Sequence, residues 1–425
     1  MKCPSDYDVA IIGGGPAGSA AGTQLAKAGL KSIILEKEKF PRFCIGESLL
    51  PAGNQLLQEL GVWNQIENAG FLRKYGAEFC TGDKSRLRRF WFGQTLGAAC
   101  EYSYQVERAP FDQLLLNNAR SHGCEVLEET RVNTIENIDS PTMRLQCESV
   151  GGALTINTRW LIDASGRNAF TGKKLGLKRT GTQKKRRVAI YGHFEDVFRN
   201  GGKAEGHITI SRIQDAWFWL IPLAGNKTSV GLVVPSEKLS KTNERSLEDI
   251  FREAVEATPE IKDRMKAASP LGSLRATGDY SWRFSSFASN RVLLAGDAAG
   301  FIDPIFSSGV MLALKSSMRA AELITLAEKS RRSLSHWERF KYTRQVTGWM
   351  RQYSRIIAPF YEKAGFEVFM NPSPFLKIPS SIARLVGGHT EPSLMDNFRI
   401  EAFRTIWRLQ RFLPIAPAIP SLRES

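Results

Sequence analysis

Residues 8–36 read DVAIIGGGPAGSAAGTQLAKAGLKSIILE, and this stretch decides the fold. Asp8 to Ile12 is an apolar run of strand length. Pro16 to Leu30 is rich in alanine and opens with proline, which a helix tolerates at its first position. Lys31 to Glu36 is a second apolar run. Strand, helix and strand in that order make a β-α-β unit with parallel strands. Between strand and helix lies Gly13-Gly14-Gly15-Pro16-Ala17-Gly18, which fits G-x-G-x-x-G. A tight turn that brings backbone against a pyrophosphate needs residues without a Cβ. The helix start behind it offers free N–H groups and a positive partial charge to the phosphates. Glu36 ends the second strand, where a carboxylate accepts hydrogen bonds from ribose hydroxyls. Alone the glycine pattern is a weak signal. With strand, helix and terminal acid around it, it specifies a dinucleotide site.

Outward from this unit, strands and helices interleave. Ala109 to Ser121 reads as a helix and Trp160 to Asp163 as a buried strand. Residues 184–234 alternate with the period of two, as in His207 to Ser211 and Thr228 to Val233, and predict an antiparallel sheet. Helix is expected to dominate from Leu247. Arg291 to Ala295 is a last buried strand, followed by a helix from Gly309. Beyond residue 330 the chain reads as helical, broken at 371–374 and 414–420. The expected class is α/β: a Rossmann-like βαβ domain assembled from 1–70, 105–183 and 285–330, a β-sheet substrate domain from 71–104 and 184–284, and a C-terminal helical region over 331–425. Prolines in that last region should redirect its helices across the substrate side of the molecule.

Composition narrows the class further. In 425 residues, 42% are hydrophobic and 24% charged, which excludes a disordered, collagen-like or disulfide-scaffold chain. The longest strongly apolar run, 216–224, is far below the roughly 18 residues that span a bilayer. Asp6 and Asp8 stand where a signal peptide carries basic residues, so a cytoplasmic protein is expected. The six cysteines form no C-x-x-C pair, which argues for reduced thiols and against a metal site. The net charge is +15, and no nucleic-acid motif accompanies it. Eight cations crowd 171–187: Lys173, Lys174, Lys178, Arg179, Lys184, Lys185, Arg186 and Arg187. A solvated loop is the plain reading. It is also the first candidate for docking an acidic protein.

Three further segments carry a resemblance. Arg291 to Gly300 is a strand ending in Gly296-Asp297, Asp163 to Arg167 reads Asp-Ala-Ser-Gly-Arg, and Arg108 lies in Val106 to Asp112. Together with the glycine turn they resemble the flavoprotein monooxygenase superfamily. The resemblance implies FAD, with Asp297 on the ribityl chain and with Arg108 and Asp163 beside the cofactor. No second G-x-G-x-x-G is present to hold a nicotinamide dinucleotide.

Four local features refine this. Trp217 to Pro222 fits W-x-W-x-I-P, Phe301 to Gly309 fits F-x-x-P-x-x-S-x-G, Lys74 stands alone, and Gly46-Glu47-Ser48 precedes it. In this order they resemble the FAD-dependent halogenases, of the phenol and pyrrole type. That family implies reduced FAD from a separate flavin reductase, with O2 and chloride or bromide. Glu47 and Ser48 would approach the flavin, and Ser307, Ser308 and Gly309 would form the loop beside it, the last two holding halide. Trp217 and Trp219 would wall the aromatic substrate from the flavin. Lys74 would capture hypohalous acid as a hydrogen-bonded species or a haloamine. Tryptophan halogenases carry Glu where this chain has Phe306, so the resemblance points to rings that activate themselves, free or tethered to an acyl or peptidyl carrier protein. A substrate-hydroxylating monooxygenase, a prenyl reductase and a flavin-binding protein without turnover stay open. Gly300, where hydroxylases usually carry His, and Lys74 favour the halogenase.

Overall fold

The computed structural model describes residues 6–94, 100–181, 186–237, 245–279, 281–372 and 377–422. Tyr7–Ile12 lies at the centre of the first sheet, parallel to Ser32–Leu35 on one side and to the last half of Gly152–Asp163 on the other. Glu125–Leu127 and Val292–Leu294 extend it, also parallel. The inner strands, Val9–Ile12, Ser32–Leu35, Trp160–Asp163 and Val292–Leu294, are buried on both faces and are mostly apolar, whereas the edge strand Glu125–Leu127 is half-exposed. The strand Gly152–Asp163 is three times longer than its apolar end. Its first half pairs antiparallel with Met143–Ser149, which pairs in turn with Arg131–Glu136. Only Ile156 is fully buried in its first six residues, so that half lacks the buried-strand signal of Trp160–Asp163.

The helix Pro16–Lys27 packs between Arg108–Ser121 and Gly309–Lys329. Its glycines let it lie close on the turn and on the strand Ser32–Leu35. A Cβ on Gly18 would sit 1.8 Å from the Gly13 carbonyl oxygen, and one on Gly22 would sit 2.8 Å from Ile34.

The second sheet runs Ser269–Pro270, Arg187–Glu195, Lys227–Pro235, Trp217–Pro222, Ile208–Arg212, Gly76–Thr81 and Leu87–Trp91, with Arg275–Asp279 also on the Arg187–Glu195 strand. It is not wholly antiparallel. Ile208–Arg212 runs parallel to Gly76–Thr81, a pairing that only a long connection permits. Helix does not dominate after Leu247 either. Leu247–Glu256 and Pro259–Arg264 are helical, and then short strands at 269–270, 275–279 and 282–284 take over. Pro270, Gly272 and Gly278 interrupt any helical period there.

After Gly309–Lys329 come His336–Tyr361, Lys363–Met370, Ile378–Val386 and Leu394–Gln410. Ser335 with Glu338 and Ser393 with Asp396 form capping boxes that start two of them. The C-terminal helices are pinned to the second sheet by an aromatic cluster in which Phe360 and Phe369 meet Phe79 and Phe306. Arg212, buried on the sheet, donates to the carbonyls of Phe360, Tyr361 and Glu362 at 2.5, 2.9 and 3.1 Å. It thereby satisfies the carbonyls that end the helix His336–Tyr361. Burial pulls the Arg212 guanidinium down to about 10.

The basic run does not behave as one exposed loop. Arg187 is 7% exposed, and its guanidinium lies 3.8 Å from the Tyr361 ring centroid. Arg179 stacks 3.5 Å from the Trp282 centroid. Lys184 and Lys185 lie outside the described residues.

Candidate functional site

A cavity of about 670 Å³ runs from the glycine turn to the tryptophan strand. At one end Gly13 has φ +100°, and a Cβ there would fall 2.5 Å from the Ala164 carbonyl oxygen. Only glycine serves. Gly15, Pro16 and Ala17 line the cavity, whereas Gly18 packs under the turn. Glu36 is 3% exposed, and its carboxylate accepts from Gly14 N–H at 2.6 Å and Glu38 N–H at 2.9 Å. The acid therefore holds the turn as well as facing the cavity.

Along the middle, Arg108 makes a two-pronged pair with Asp112 at 2.8 and 2.9 Å and donates to the Ile45 carbonyl at 2.8 Å. Asp297 and Gly296 line the wall opposite. Burial pushes the Asp297 carboxyl up to about 6, against the pull of Arg167 and Arg108. Asp163 does not reach the cavity. Fully buried, it accepts from Ser165 N–H at 3.0 Å and Thr171 N–H at 2.6 Å, and so shapes the loop that presents Arg167. Arg167 lines the cavity and lies over the Phe301 ring.

Glu47 and Ser48 also line the cavity. Glu47 Oε1 stands 2.6 Å from His193 Nε2, and Glu47 Oε2 is buried without a partner among the described residues. His193 escaped the sequence reading, because no spacing links residue 193 to 47. Their meeting depends on where the second sheet crosses the 43–48 segment.

At the far end, Trp217, Trp219 and Ile221 alternate onto the cavity face, while Phe218 and Leu220 enter the core behind. The two indoles stand 5.9 Å apart. Trp219 lies flat over Gly231 of the adjacent strand, where a Cβ would come within 2.1 Å of its ring. Trp217 Nε1 donates to Tyr361 Oη at 2.8 Å, and Tyr361 Oη donates to Asp303 Oδ2 at 2.7 Å. The C-terminal helices thus reach the tryptophan strand. Neither Tyr361 nor Asp303 was singled out from sequence, although Asp303 lies inside the Phe301–Gly309 motif.

That loop turns through Ser307, at φ +56°, into the helix that begins at Gly309. Ser307 and Gly309 line the cavity. Ser308 is 1% exposed, does not line it, and its hydroxyl has no partner among the described residues. The first N–H groups of the helix have no intrahelical acceptor and point toward this end.

Lys74 ends the strand Leu72–Lys74, which pairs with Ser103–Gln105. It is 1% exposed. Its Nζ donates to Ser48 Oγ at 2.8 Å and to the Leu49 carbonyl at 3.0 Å, so it stands one hydrogen bond behind the cavity wall. Burial with no carboxylate partner pulls its ammonium down to about 7. A buried lysine of this kind exchanges its proton near neutral pH.

The cavity fits a flavin dinucleotide. It has a Cβ-free turn at one end, two guanidinium groups and a carboxyl along its length, and an unpartnered Glu47 oxygen in its wall. Among the described residues no cluster of three His, Cys, Asp or Glu could hold a metal, and no helix is long and apolar enough to cross a membrane.

Residues 6–349 match the family model described as FAD binding domain. The chain is 34% identical over 360 residues to the 1H-pyrrole-2-carbonyl-(peptidyl-carrier protein) chlorinase of Pseudomonas fluorescens, covering 78% of this chain and 80% of that one. It is 33% identical over 366 residues to tryptophan 2-halogenase of Chondromyces crocatus, covering 85% and 69%. Among solved structures, the flavin-dependent brominase Bmp2 superposes with a TM-score of 0.82 at 29% identity, covering 95% of this chain and 99% of that one.

Proposed function

From the chain's membership of the flavin-dependent halogenases, FAD enzymes built on the FAD-binding domain, we propose that it halogenates an electron-rich aromatic ring, a phenol or a pyrrole, carried on a peptidyl carrier protein or free. The observation that carries this reading is Lys74, buried at about neutral pKa directly behind Ser48 at the cavity wall. Reduced FAD, when bound, supplies the two-electron oxidation of chloride or bromide by O2 to hypohalous acid. Gly13, Gly15, Pro16, Ala17 and Glu36 would hold its adenosine and pyrophosphate end. Arg108, Asp297, Gly296, Glu47 and Ser48 would hold the remainder, with Gly18 and Asp163 shaping the loops from behind. The halide would sit against the helix start at Ser308 and Gly309, beside Ser307, where unpaired N–H groups favour an anion.

Lys74 then receives the halogen. As a neutral amine it attacks the halogen of hypohalous acid, an N–halogen bond forms, the O–halogen bond breaks, and hydroxide leaves to combine with the amine proton as water. As an ammonium it has no lone pair to do so. Its low pKa is therefore the functional property. Trp217 and Trp219 keep the ring from the flavin. At position 306 the chain carries Phe, which supplies no carboxylate, so the ring must provide its own electron density. A pyrrole on a carrier agrees with the substrate named for the Pseudomonas fluorescens chlorinase that this chain resembles. The single glycine fingerprint favours a separate reductase as the source of reduced FAD. Five described cysteines are all free, in keeping with a cytoplasmic location.

Replacing Lys74 by alanine tests the reading. Product formation should fall on the order of 10³-fold, while flavin reoxidation and hydrogen peroxide release stay within about twofold. The wild-type halogenation rate should rise as pH passes upward through about 7 and flatten above it, with flavin reoxidation lacking that step. Halogenated product at wild-type rates from Lys74→Ala would reject the role.

A further inference from the structure

The helix His336–Tyr361 has two faces of different purpose. Its inner face supplies Val346 and Met350 to the cavity. Its outer face carries Trp337, Phe340, Lys341, Arg344 and Arg351, all exposed. At 100° per residue these five fall within about a third of the helix circumference. Trp337 and Phe340 are 64% and 47% exposed, and their rings stack with centroids 5.7 Å apart. Lys341, Arg344 and Arg351 form no ion pair or hydrogen bond among the described residues. The helix holds one acid, Glu338, and it is committed to the capping box and to Arg332. Arg355, on another side of the same helix, is matched: it pairs with Glu401, as Arg404 does. The face thus combines an exposed, stacked aromatic pair with three cations free to meet an acidic partner.

We propose that this outer face docks the acidic carrier protein that bears the substrate, which rests on the reading that the ring arrives on a carrier. The charge sign selects the partner. Carrier proteins are acidic, and three cations with no competing carboxylate would steer such a surface into place. Two copies of this chain meeting through the face about a two-fold axis would set its cations against each other. The place also suits the task. One helix separates the docked surface from the cavity, a thickness of about 10 Å. The basic run at 171–187 is the weaker candidate, since Arg187 is buried under Tyr361 and Arg179 is spent on Trp282.

The test uses the full chain with FAD, a flavin reductase, bromide, and two substrates: pyrrole-2-carbonyl loaded on a peptidyl carrier protein, and a free phenol or pyrrole. Reversing Lys341, Arg344 and Arg351 to Glu should raise KM for the loaded carrier at least about tenfold, with kcat and the free-substrate kinetics unchanged. The wild-type KM for the carrier should rise with salt, and that of the variant should not. Trp337→Ala, which alters no charge, should raise the carrier KM at every salt concentration. If the wild type works on the loaded carrier and the reversal leaves KM unmoved, the docking face is wrong and the carrier reading stands. If the wild type halogenates only free rings, the carrier reading falls, and this proposal with it. A wild-type dimer that the reversal splits would assign the face to a second copy and overturn the proposal.

Discussion

The two ends of the cavity are built in opposite ways. At the nucleotide end, Gly13 to Gly18 and Glu36 come from one continuous β-α-β unit; Glu36 on the next strand holds the turn, and the Ala164 carbonyl on its other side crowds Gly13. At the tryptophan end, Trp217, Gly231, Asp303 and Tyr361 come from two strands, a loop and a helix end. The first end depends on residues that lack side chains; the second depends on side chains brought together by the register of a sheet. Damage should therefore look different. At the nucleotide end a single added Cβ decides everything, whereas at the tryptophan end losses should be partial and coupled.

The largest effect separates two neighbouring glycines. Gly18→Val places its Cβ into the Gly13 carbonyl and should destabilise the fold by more than about 3 kcal/mol, measured by urea unfolding. Gly15 has an ordinary φ of −68°, and its Cβ meets only the end of Arg42 at 3.4 Å. Gly15→Val should thus fold normally, within about 1 kcal/mol of wild type, yet lose FAD affinity more than about 100-fold because the added bulk fills the cavity. A Gly15→Val protein that retains FAD would remove the distinction.

An intermediate effect is expected at Gly231. Gly231→Ala drives a methyl into the Trp219 ring and should cost about 1–3 kcal/mol, with product falling several-fold as peroxide release rises. The cost should vanish in the background of Trp219→Ala, because the ring it opposes is gone. Equal costs in both backgrounds would show that packing other than Trp219 sets the requirement for glycine.

The smallest effect belongs to Tyr361→Phe. It removes the hydroxyl between Trp217 and Asp303 and should cost about 1 kcal/mol. Product yield per reduced flavin should fall about twofold, leaving FAD affinity unchanged. A change in FAD affinity would mean that the two ends are less separate than their construction implies.

Legibility follows the same division. The glycine turn, its helix and Glu36 could be read because their chemistry is written in consecutive positions. Asp163 was legible as part of a motif but not in its role, since a carboxylate under a loop and one beside a ligand share a sequence. Arg187 read as one of eight solvated cations and is instead buried on an aromatic ring. Charge runs report composition, and burial is settled by what packs on top. His193 and Tyr361 left no signal at all. Their importance arises from contacts with Glu47 and Trp217 across more than a hundred residues of chain.

Sequence by itself determined the parallel β-α-β core, the dinucleotide turn and the set of unusual residues at 74, 217, 219 and 307–309. Periodicity, absent side chains and short motifs act over a few residues, and that range suffices for them. Tertiary structure alone decided that Lys74 lies in a desolvated place one hydrogen bond from the cavity, that Trp219 rests on Gly231, and that a cationic helix face backs the site. Those properties are distances and burial, created when remote segments exclude water from one another, and no local pattern in the chain encodes them.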